Sequence, residues 1–259
     1  MKQSIFLTSV IVITAIVAIV IYVFILGNPG NFRNGELRTV PDNLMGTVYT
    51  GGVVVPFLIT LTLMDITLIF ERLFSLRKAS GRQSISMFLK SVQNSLMAGK
   101  IDEAMKICDA QRGSAANIIR TGLERYKQVV QDKKLDSEKR MVETQRAIEE
   151  ATSLETPLLE RNLIALSTIA SIATMAGLLG TTVGMIRAFT ALAKAGAPDA
   201  IQLSIGISEA LINTALGLTA AIIGIIAYNF FVTKVDNFTY MIDEASYNVV
   251  QILNTRTND

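Results

Sequence analysis

Residues 206–217 read GISEALINTALG, and they place a single carboxylate, Glu209, near the start of a long uncharged run. No charged residue follows from Ala210 to Thr233. With the residues from about 200 onward, this stretch is long enough to cross a bilayer, for which a helix needs about 20 residues. If the helix begins near residue 200, Glu209 lies about 14 Å along it, roughly halfway across a hydrocarbon core of about 30 Å.

A carboxylate at that depth is costly to insert, and ionisable groups inside membranes are functional by default. Loss of water favours the neutral form of a carboxyl group, so such a group is suited to relaying protons. The alternative is structural: Glu209 would lie in the headgroup region, or would form hydrogen bonds with Asn213, Thr214 and Thr181. The sequence favours the proton-linked role.

Three other segments are long enough to span a membrane. Residues 3–32 are uncharged and densely apolar from Ile5 to Leu26, residues 45–70 are interrupted only by Asp65, and residues 162–186 are uncharged. The first apolar stretch exceeds the roughly 7–15 residues of a signal-peptide core, so we predict a retained helix. Asp65 lies six residues before Glu71, and we interpret it as a solvated or Arg-paired carboxylate near the cytoplasmic interface.

Composition excludes several classes of protein. Half of the 259 residues are hydrophobic, and the net charge of +2 with no basic patch argues against nucleic-acid binding. The chain has no histidine and one cysteine, Cys108, which we expect to be a small buried hydrophobe. Zinc, haem and iron–sulfur sites and His-dependent catalytic sites are therefore not expected. We predict no cofactor, no metal and no enzymatic activity.

Charge distribution predicts the topology. Residues 75–161 contain 16 Lys or Arg and 12 Asp or Glu, whereas the connector at 27–44 contains two arginines. The positive-inside rule places residues 75–161 and both termini in the cytoplasm. The connectors at 27–44 and 193–199 then lie outside. The outer connector at 28–45 is rich in Gly, Asn and Pro and is expected to be irregular.

The cytoplasmic segment is helical in pattern. Hydrophobic residues recur at three- and four-residue spacing from Ile85 to Leu96, and Gly99 and Gly113 end the first two helices. A third helix follows from residue 114. A fourth is expected to run nearly unbroken into the third span, with a bend at Pro157.

The last two spans carry polar and small residues at helical spacing, which predicts a closely packed antiparallel hairpin. Helix packing is the simplest role for the small residues, and pore lining is the alternative. Arg187 is interpreted as an interfacial anchor. The candidate pore-lining or helix-packing residues are Ser171, Thr174, Gly177, Gly180, Gly184, Asn213 and Gly217.

The sequence thus predicts an all-α integral membrane protein with an extra N-terminal transmembrane helix. Its long transmembrane helices extend into a helical cytoplasmic domain. The expected segments are an N-terminal anchor (1–27), a periplasmic connector (28–45), a second transmembrane helix (46–74), a cytoplasmic helical domain (75–160), a transmembrane hairpin (161–233) and a cytoplasmic tail (234–259).

Five stretches in order resemble the TolQ/ExbB/MotA family of proton-channel subunits, over residues 46–245. They are FERLFSLRKA (70–79), LMAGKIDEAMKICDAQRGSAANIIRTGLER (96–125), ETPLLERNLIALSTIASIA (155–173), GLLGTTVGMIRAF (177–189) and GISEALINTALGLTAAIIGIIAYNFF (206–231). The local motifs are most similar to ExbB and TolQ.

The resemblance implies a homopentamer in the bacterial inner membrane, surrounding a single-span partner of the ExbD or TolR type. It implies that Glu209, with Thr181 and Thr214, lies on the proton pathway. It also implies a TonB-like coupling protein that receives the work. The chain departs from ExbB and TolQ at Thr174, Ile205 and Ile223, where those proteins commonly have proline.

These observations predict an ExbB-like subunit of a proton-channel motor that uses the proton motive force to energise outer-membrane transport. The alternatives are a TolQ-like subunit, a motility-type stator subunit and a non-conducting membrane scaffold. A membrane enzyme is disfavoured because no grouping of nucleophile, base and oxyanion donor can be identified.

Overall fold

A computed structural model describes residues 2–33, 41–131, 136–193 and 200–257. Its described residues are almost entirely helical, which confirms the all-α prediction. The helices are α1 (Lys2–Val20, continued by a π-helical segment Ile21–Leu26), α2 (Leu44–Thr50), α3 (Val54–Ala79), α4 (Ile85–Met97), α5 (Ile101–Gln111), α6 (Ser114–Gln131), α7 (Ser137–Glu160), α8 (Leu163–Leu192) and α9 (Ala200–Thr257).

Within those residues, four helical segments are long and apolar enough to cross a membrane. The first is N-terminal, at Ile5–Leu26, and the second is Val54–Ala79. The other two lie within Ser137–Leu192 and Ala200–Thr255. The number of spans and their order therefore agree with the sequence prediction.

The chain divides into two compact units. The span unit comprises Met1–Phe70 and Asn162–Asn229, and the second unit comprises Glu71–Arg161 and Phe230–Asp259.

The second span begins differently from the sequence prediction. Helix α2 ends at Thr50, α3 begins at Val54, and Gly51 and Gly52 lie between them. Gly52 has φ of +75°, a backbone conformation that a side chain disfavours. The expected continuous helix from residue 46 is therefore two helices joined at a glycine pair.

The connector before α2 is described only in part, because residues 34–40 lie outside the described ranges. The described part folds back on the end of the first span. The Nδ2 atom of Asn31 donates to the carbonyl oxygens of Ile25 and Leu26 at 2.8 and 3.0 Å. The rings of Tyr22 and Tyr49 stack with centroids 4.6 Å apart.

The helix does run nearly unbroken into the third span, as predicted, but its interruption lies at residues 161–162 and not at Pro157. Helix α7 ends at Glu160, and α8 begins at Leu163. Asn162 between them has φ of +62°, a left-handed conformation that asparagine tolerates better than most residues. Pro157 lies inside α7.

The second unit contains the helices that the spacing of apolar residues predicted. Helix α4 buries Ile85, Phe88, Val92 and Leu96, all on one face. Gly99 and Gly113 both have positive φ where α4 and α5 end. Helix α6 packs against α5 and α7, and it contributes Ile118, Ile119 and Leu123 to the core.

Cys108 is buried in this unit, as expected, with 2% of its surface exposed. Burial, and secondarily the charge of Asp109, raise the pKa of the Cys108 thiol to about 12. The neutral thiol is therefore the form present at pH 8. Burial of the neutral thiol contributes fully to the stability of the folded protein below the ordinary thiol pKa of 9.0. This contribution is lost as the pH rises towards about 12.

We expect Cys108 in the folded protein to resist alkylation by iodoacetamide at pH 8, because the thiolate is the reactive form. Denaturation should make it react fully. The Ser91→Cys variant, which adds a thiol at an exposed position of α4, is the control and should react at the rate of a free thiol. Labelling of Cys108 at that same rate in the folded protein would contradict its burial.

Candidate functional site

Helices α8 and α9 approach each other closely through their small residues. A Cβ atom on Gly184 would lie 2.7 Å from the backbone nitrogen of Ala210. One on Gly217 would lie 2.6 Å from the carbonyl oxygen of Ala173. One on Gly180 would lie 2.4 Å from the Cβ of Asn213. The five predicted small or amide residues at Gly177, Gly180, Gly184, Asn213 and Gly217 are all buried in the described chain.

This close packing sets the register that brings Glu209 and Arg187 together. The Nη1 atom of Arg187 donates to both carboxylate oxygens of Glu209, at 2.6 and 2.8 Å. The side chain of Glu209 is 4% exposed, whereas that of Arg187 is 51% exposed. The pair thus holds a buried carboxylate in contact with a cation whose other surface is open.

The interpretation of Arg187 as an interfacial anchor alone was incomplete, since it binds Glu209. The signal that could have found this contact was the register of the small residues. Gly184 meets Ala210, and Gly206 meets Ala188, so Arg187 faces the helical turn that carries Glu209. The spacing of small residues identified the packing face of each helix, but it did not give the register between α8 and α9.

The glycine pair between α2 and α3 forms a third side of the site. A Cβ atom on Gly52 would lie 2.6 Å from Oε1 of Glu209 and 3.4 Å from Nη1 of Arg187. The adjacent carbonyl of Gly51 accepts a 2.9 Å hydrogen bond from Nδ2 of Asn213. Glycine at these positions lets the backbone reach the ion pair.

A cavity of about 310 Å³ lies beside the ion pair. Its lining joins the polar side chains of Thr50, Gln202, Arg187 and Glu209 to the backbone of Gly52 and Gly206. The cavity has room for several water molecules, each of which occupies about 30 Å³ in the liquid. The buried carboxylate is thus adjacent to a space that water can enter.

Thr181 and Thr214 are in hydroxyl-to-hydroxyl contact across the hairpin. Thr181 also donates to the carbonyl of Gly177 at 3.1 Å. Thr214 lies five residues beyond Glu209, about 7.5 Å further along α9. Glu209, Thr181 and Thr214 therefore all lie on the α8–α9 pair, with the threonine contact at a different level from the ion pair.

The remaining polar residues of α8 are placed differently. Ser171 is exposed and donates to the carbonyl of Ser167, and Thr174 is half-buried and donates to that of Ala170. Both bonds are 3.1 Å and connect residues four apart on α8. These hydroxyl groups are satisfied within their own helix, on a surface that is partly open in the single chain.

Asp65 corrects a second interpretation. We expected a solvated or Arg-paired carboxylate, but Asp65 is 0% exposed, and neither of its oxygens has a hydrogen-bond partner among the described residues. It packs against Gly224 of α9, where an added Cβ would lie 3.1 Å from Oδ2. The position of Asp65 close to Glu71 in the sequence suggested an exposed side chain, and it did not show that another helix covers it.

No group of three or more His, Cys, Asp or Glu side chains that could hold a metal ion is present in the described ranges. The ionisable groups of this hairpin are instead the isolated Glu209–Arg187 pair.

The chain is similar to known membrane proteins of one family. Residues 110–244 match the profile of the MotA/TolQ/ExbB proton channel family. The chain is 29% identical over 201 residues to the Tol-Pal system protein TolQ of Pseudomonas aeruginosa, an alignment that covers 76% of this chain and 86% of that protein. It is 30% identical over 202 residues to an ExbB homolog of Methanothermobacter thermautotrophicus, covering 75% and 66% of the two chains.

A shorter alignment, 36% identical over 88 residues, relates the chain to the biopolymer transport protein ExbB of Pseudomonas putida. It covers 34% of this chain and 27% of that protein. The profile match covers more than half of the chain and includes both helices that form the ion-pair site. With its four apolar helices, this multi-pass membrane protein belongs to the MotA/TolQ/ExbB proton channel family.

Proposed function

We propose that this chain is an ExbB-like subunit of a proton-channel motor in the bacterial inner membrane. It uses the proton motive force to energise outer-membrane transport through a TonB-type coupling protein. The observation that carries the proposal is the carboxylate of Glu209, which is buried in the span unit, bound by Arg187 and bordered by a polar cavity.

The pathway we propose runs from Glu209 along the contact of Thr181 and Thr214. Hydroxyl groups can both donate and accept hydrogen bonds, so the two threonines can pass a proton between waters on either side. One elementary charge that crosses 100 mV releases about 2.3 kcal/mol, which is enough to bias a helix contact between two states. Proton movement therefore supplies the work without bond chemistry in this subunit.

The outer surface of α8 supports a multi-subunit arrangement. Several of its large apolar side chains are exposed in the single chain, and they are Ile164, Met175, Leu178, Leu179, Ile186 and Phe189. In a membrane such a surface contacts lipid or neighbouring helices. We propose a homopentamer around an ExbD- or TolR-like single-span partner, with both termini in the cytoplasm.

A TolQ-like subunit is the second candidate, and a specific observation favours it. The alignment with the TolQ protein of P. aeruginosa covers 86% of that protein's length. Such a subunit would share the proton pathway and would differ in the coupling protein that it drives. The local geometry at Glu209 is compatible with either role.

Purification of the tagged chain from its native membranes, followed by identification of bound proteins, separates the two candidates. A TonB-like protein in the complex supports the ExbB-like function, and a deletion strain should then lose energised uptake across the outer membrane. Recovery of a Tol-Pal partner, with normal uptake and defective cell constriction, would favour the TolQ-like role.

Replacement of either threonine by valine tests the pathway. Valine has nearly the same shape and lacks the hydroxyl, so Thr181→Val or Thr214→Val should lower proton flux at least about tenfold, equivalent to about 1.4 kcal/mol in the barrier. Flux is measured with the purified complex in vesicles. The control is Thr219→Val, at an exposed position of α9, which should conduct normally. Wild-type proton flux in both the Thr181→Val and the Thr214→Val variants would show that these hydroxyl groups do not carry the proton.

A further inference from the structure

Asp65 is, like Glu209, a carboxylate within an apolar membrane-spanning helix, and its surroundings differ from those of Glu209. Its side chain is 0% exposed, and both oxygens lack a hydrogen-bond partner among the described residues. Glu209 has a guanidinium at 2.6 Å. Of these two acids in the membrane-spanning helices, Glu209 therefore has a cationic partner, and Asp65 has no hydrogen-bond partner among the described residues.

Small residues make room for the carboxyl group of Asp65. A Cβ atom on Gly224 would lie 3.1 and 3.3 Å from its two oxygens and 3.1 Å from the Cβ of Ala170. Gly224 thus separates Asp65 on α3 from Ala170 on α8. Any larger residue at position 224 would press on the carboxyl group.

No charged side chain among the described residues forms a hydrogen bond with Asp65. Helix α8 is uncharged from Leu163 to Ile186, and α9 is uncharged from Ala210 to Thr233. On α3 itself the nearest charged residues are Glu71 and Arg72. Arg72 is bound to Glu71 at 2.6 and 2.7 Å and to the carbonyl of Leu159 at 3.3 Å.

An ionised carboxylate without a partner is too costly to bury, and such groups become neutral instead. A hard metal cation would need several oxygen ligands around it. Neither oxygen of Asp65 has a hydrogen-bond partner among the described residues, and no group of three or more His, Cys, Asp or Glu side chains that could hold a metal ion occurs there. The geometry therefore favours a proton over a metal ion.

We propose that Asp65 is a second proton-binding site of this protein and that it carries a proton at neutral pH. It lies beside Gly224, which is 15 residues beyond Glu209 on α9, or about 22 Å along the helix. The two acids therefore lie at separate levels of the span unit: Glu209 in contact with Arg187, and Asp65 without a hydrogen-bond partner among the described residues.

Infrared spectroscopy of the purified full-length protein in lipid vesicles detects this proton directly. A protonated carboxylic acid has a carbonyl stretch that a carboxylate lacks, and the band shifts when the proton exchanges with deuterium. We expect this band at pH 7 in the wild-type protein and its loss in Asp65→Asn. The control Asp236→Asn, which removes an exposed aspartate of α9, should retain it.

The Asp65→Asn variant is expected to fold, since asparagine resembles the neutral acid in size. Asp65→Glu retains an acid at this position and should shift the band without removing it, so the assignment does not depend on one variant. An unchanged band in both variants would overturn the proposal. A carboxylate signal from Asp65 that responds to added Na⁺ would also overturn it and would indicate a sodium site. The spectrum reports bound protons and not transport, so it is independent of the proposed channel function.

Discussion

Replacement of Glu209 by glutamine is expected to abolish proton-coupled transport in cells and to leave the complex assembled. The substitution keeps the shape of the side chain but removes the group that, in the proposed pathway, takes up and releases a proton. Arg187 is half-exposed, so its guanidinium can turn towards the interface when its partner is lost. Substrate uptake in cells measures the function, and the size of the extracted complex measures assembly.

The matched control is Glu244→Gln, which removes an exposed glutamate from the same helix. It should support wild-type uptake. Glu209→Ala should fail in the same way as Glu209→Gln, since both lack an acid. Normal uptake in either Glu209 variant, with the complex intact, would refute a proton-carrying role and would favour a structural one.

Introduction of a leucine at Gly184 is expected to prevent formation of the hairpin. Even a single added methyl would meet the backbone nitrogen of Ala210 at 2.7 Å and the carbonyl oxygen of Gly206 at 2.8 Å. Both contacts are with backbone, which cannot rotate away, so α8 and α9 would have to separate. Overpacking of this kind costs about 1–3 kcal/mol for a small addition, and leucine adds far more volume.

The measurement is the amount of folded complex recovered from membranes, with the melting temperature for variants that assemble. Gly184→Ala should assemble with a lowered melting temperature, and Gly184→Leu should not assemble. Thr182→Leu places the same side chain at an exposed position two residues away and should assemble normally. Assembly of Gly184→Leu at the wild-type level would contradict the close helix contact.

Much of the span unit was predictable, because lipid imposes strong constraints on sequence. Four long apolar segments predicted the four membrane helices, and small residues at three- and four-residue spacing predicted the hairpin. These signals are local and repeat along a single helix. The same holds for the second unit, where the apolar periodicity of α4 and the glycines after α4 and α5 predicted the helices.

Features that depend on the alignment of two helices were less apparent. Arg187 meets Glu209 only because the glycines set the register between α8 and α9. The burial of Asp65 depends on Gly224, which lies more than 150 residues away in the sequence. The short distance from Asp65 to Glu71 along α3 suggested an exposed location, since no single-helix pattern shows which neighbour covers a side chain.

Two helix breaks were missed for a different reason. Each depends on the conformation of one residue with positive φ, Gly52 and Asn162. The glycine pair at 51–52 was a usable signal, but the apolar residues on both sides made the segment resemble one helix. The break at Gly52 brings the backbone against Glu209.

Proton flux into vesicles that contain the purified complex with its single-span partner tests the central claim most directly. A pH-sensitive dye inside the vesicles reports acidification when a membrane potential is imposed. We predict that the wild-type complex acidifies the interior and that Glu209→Gln abolishes the signal. Acidification at the wild-type rate by the Glu209→Gln complex would contradict the claim that this buried carboxylate carries protons across the membrane.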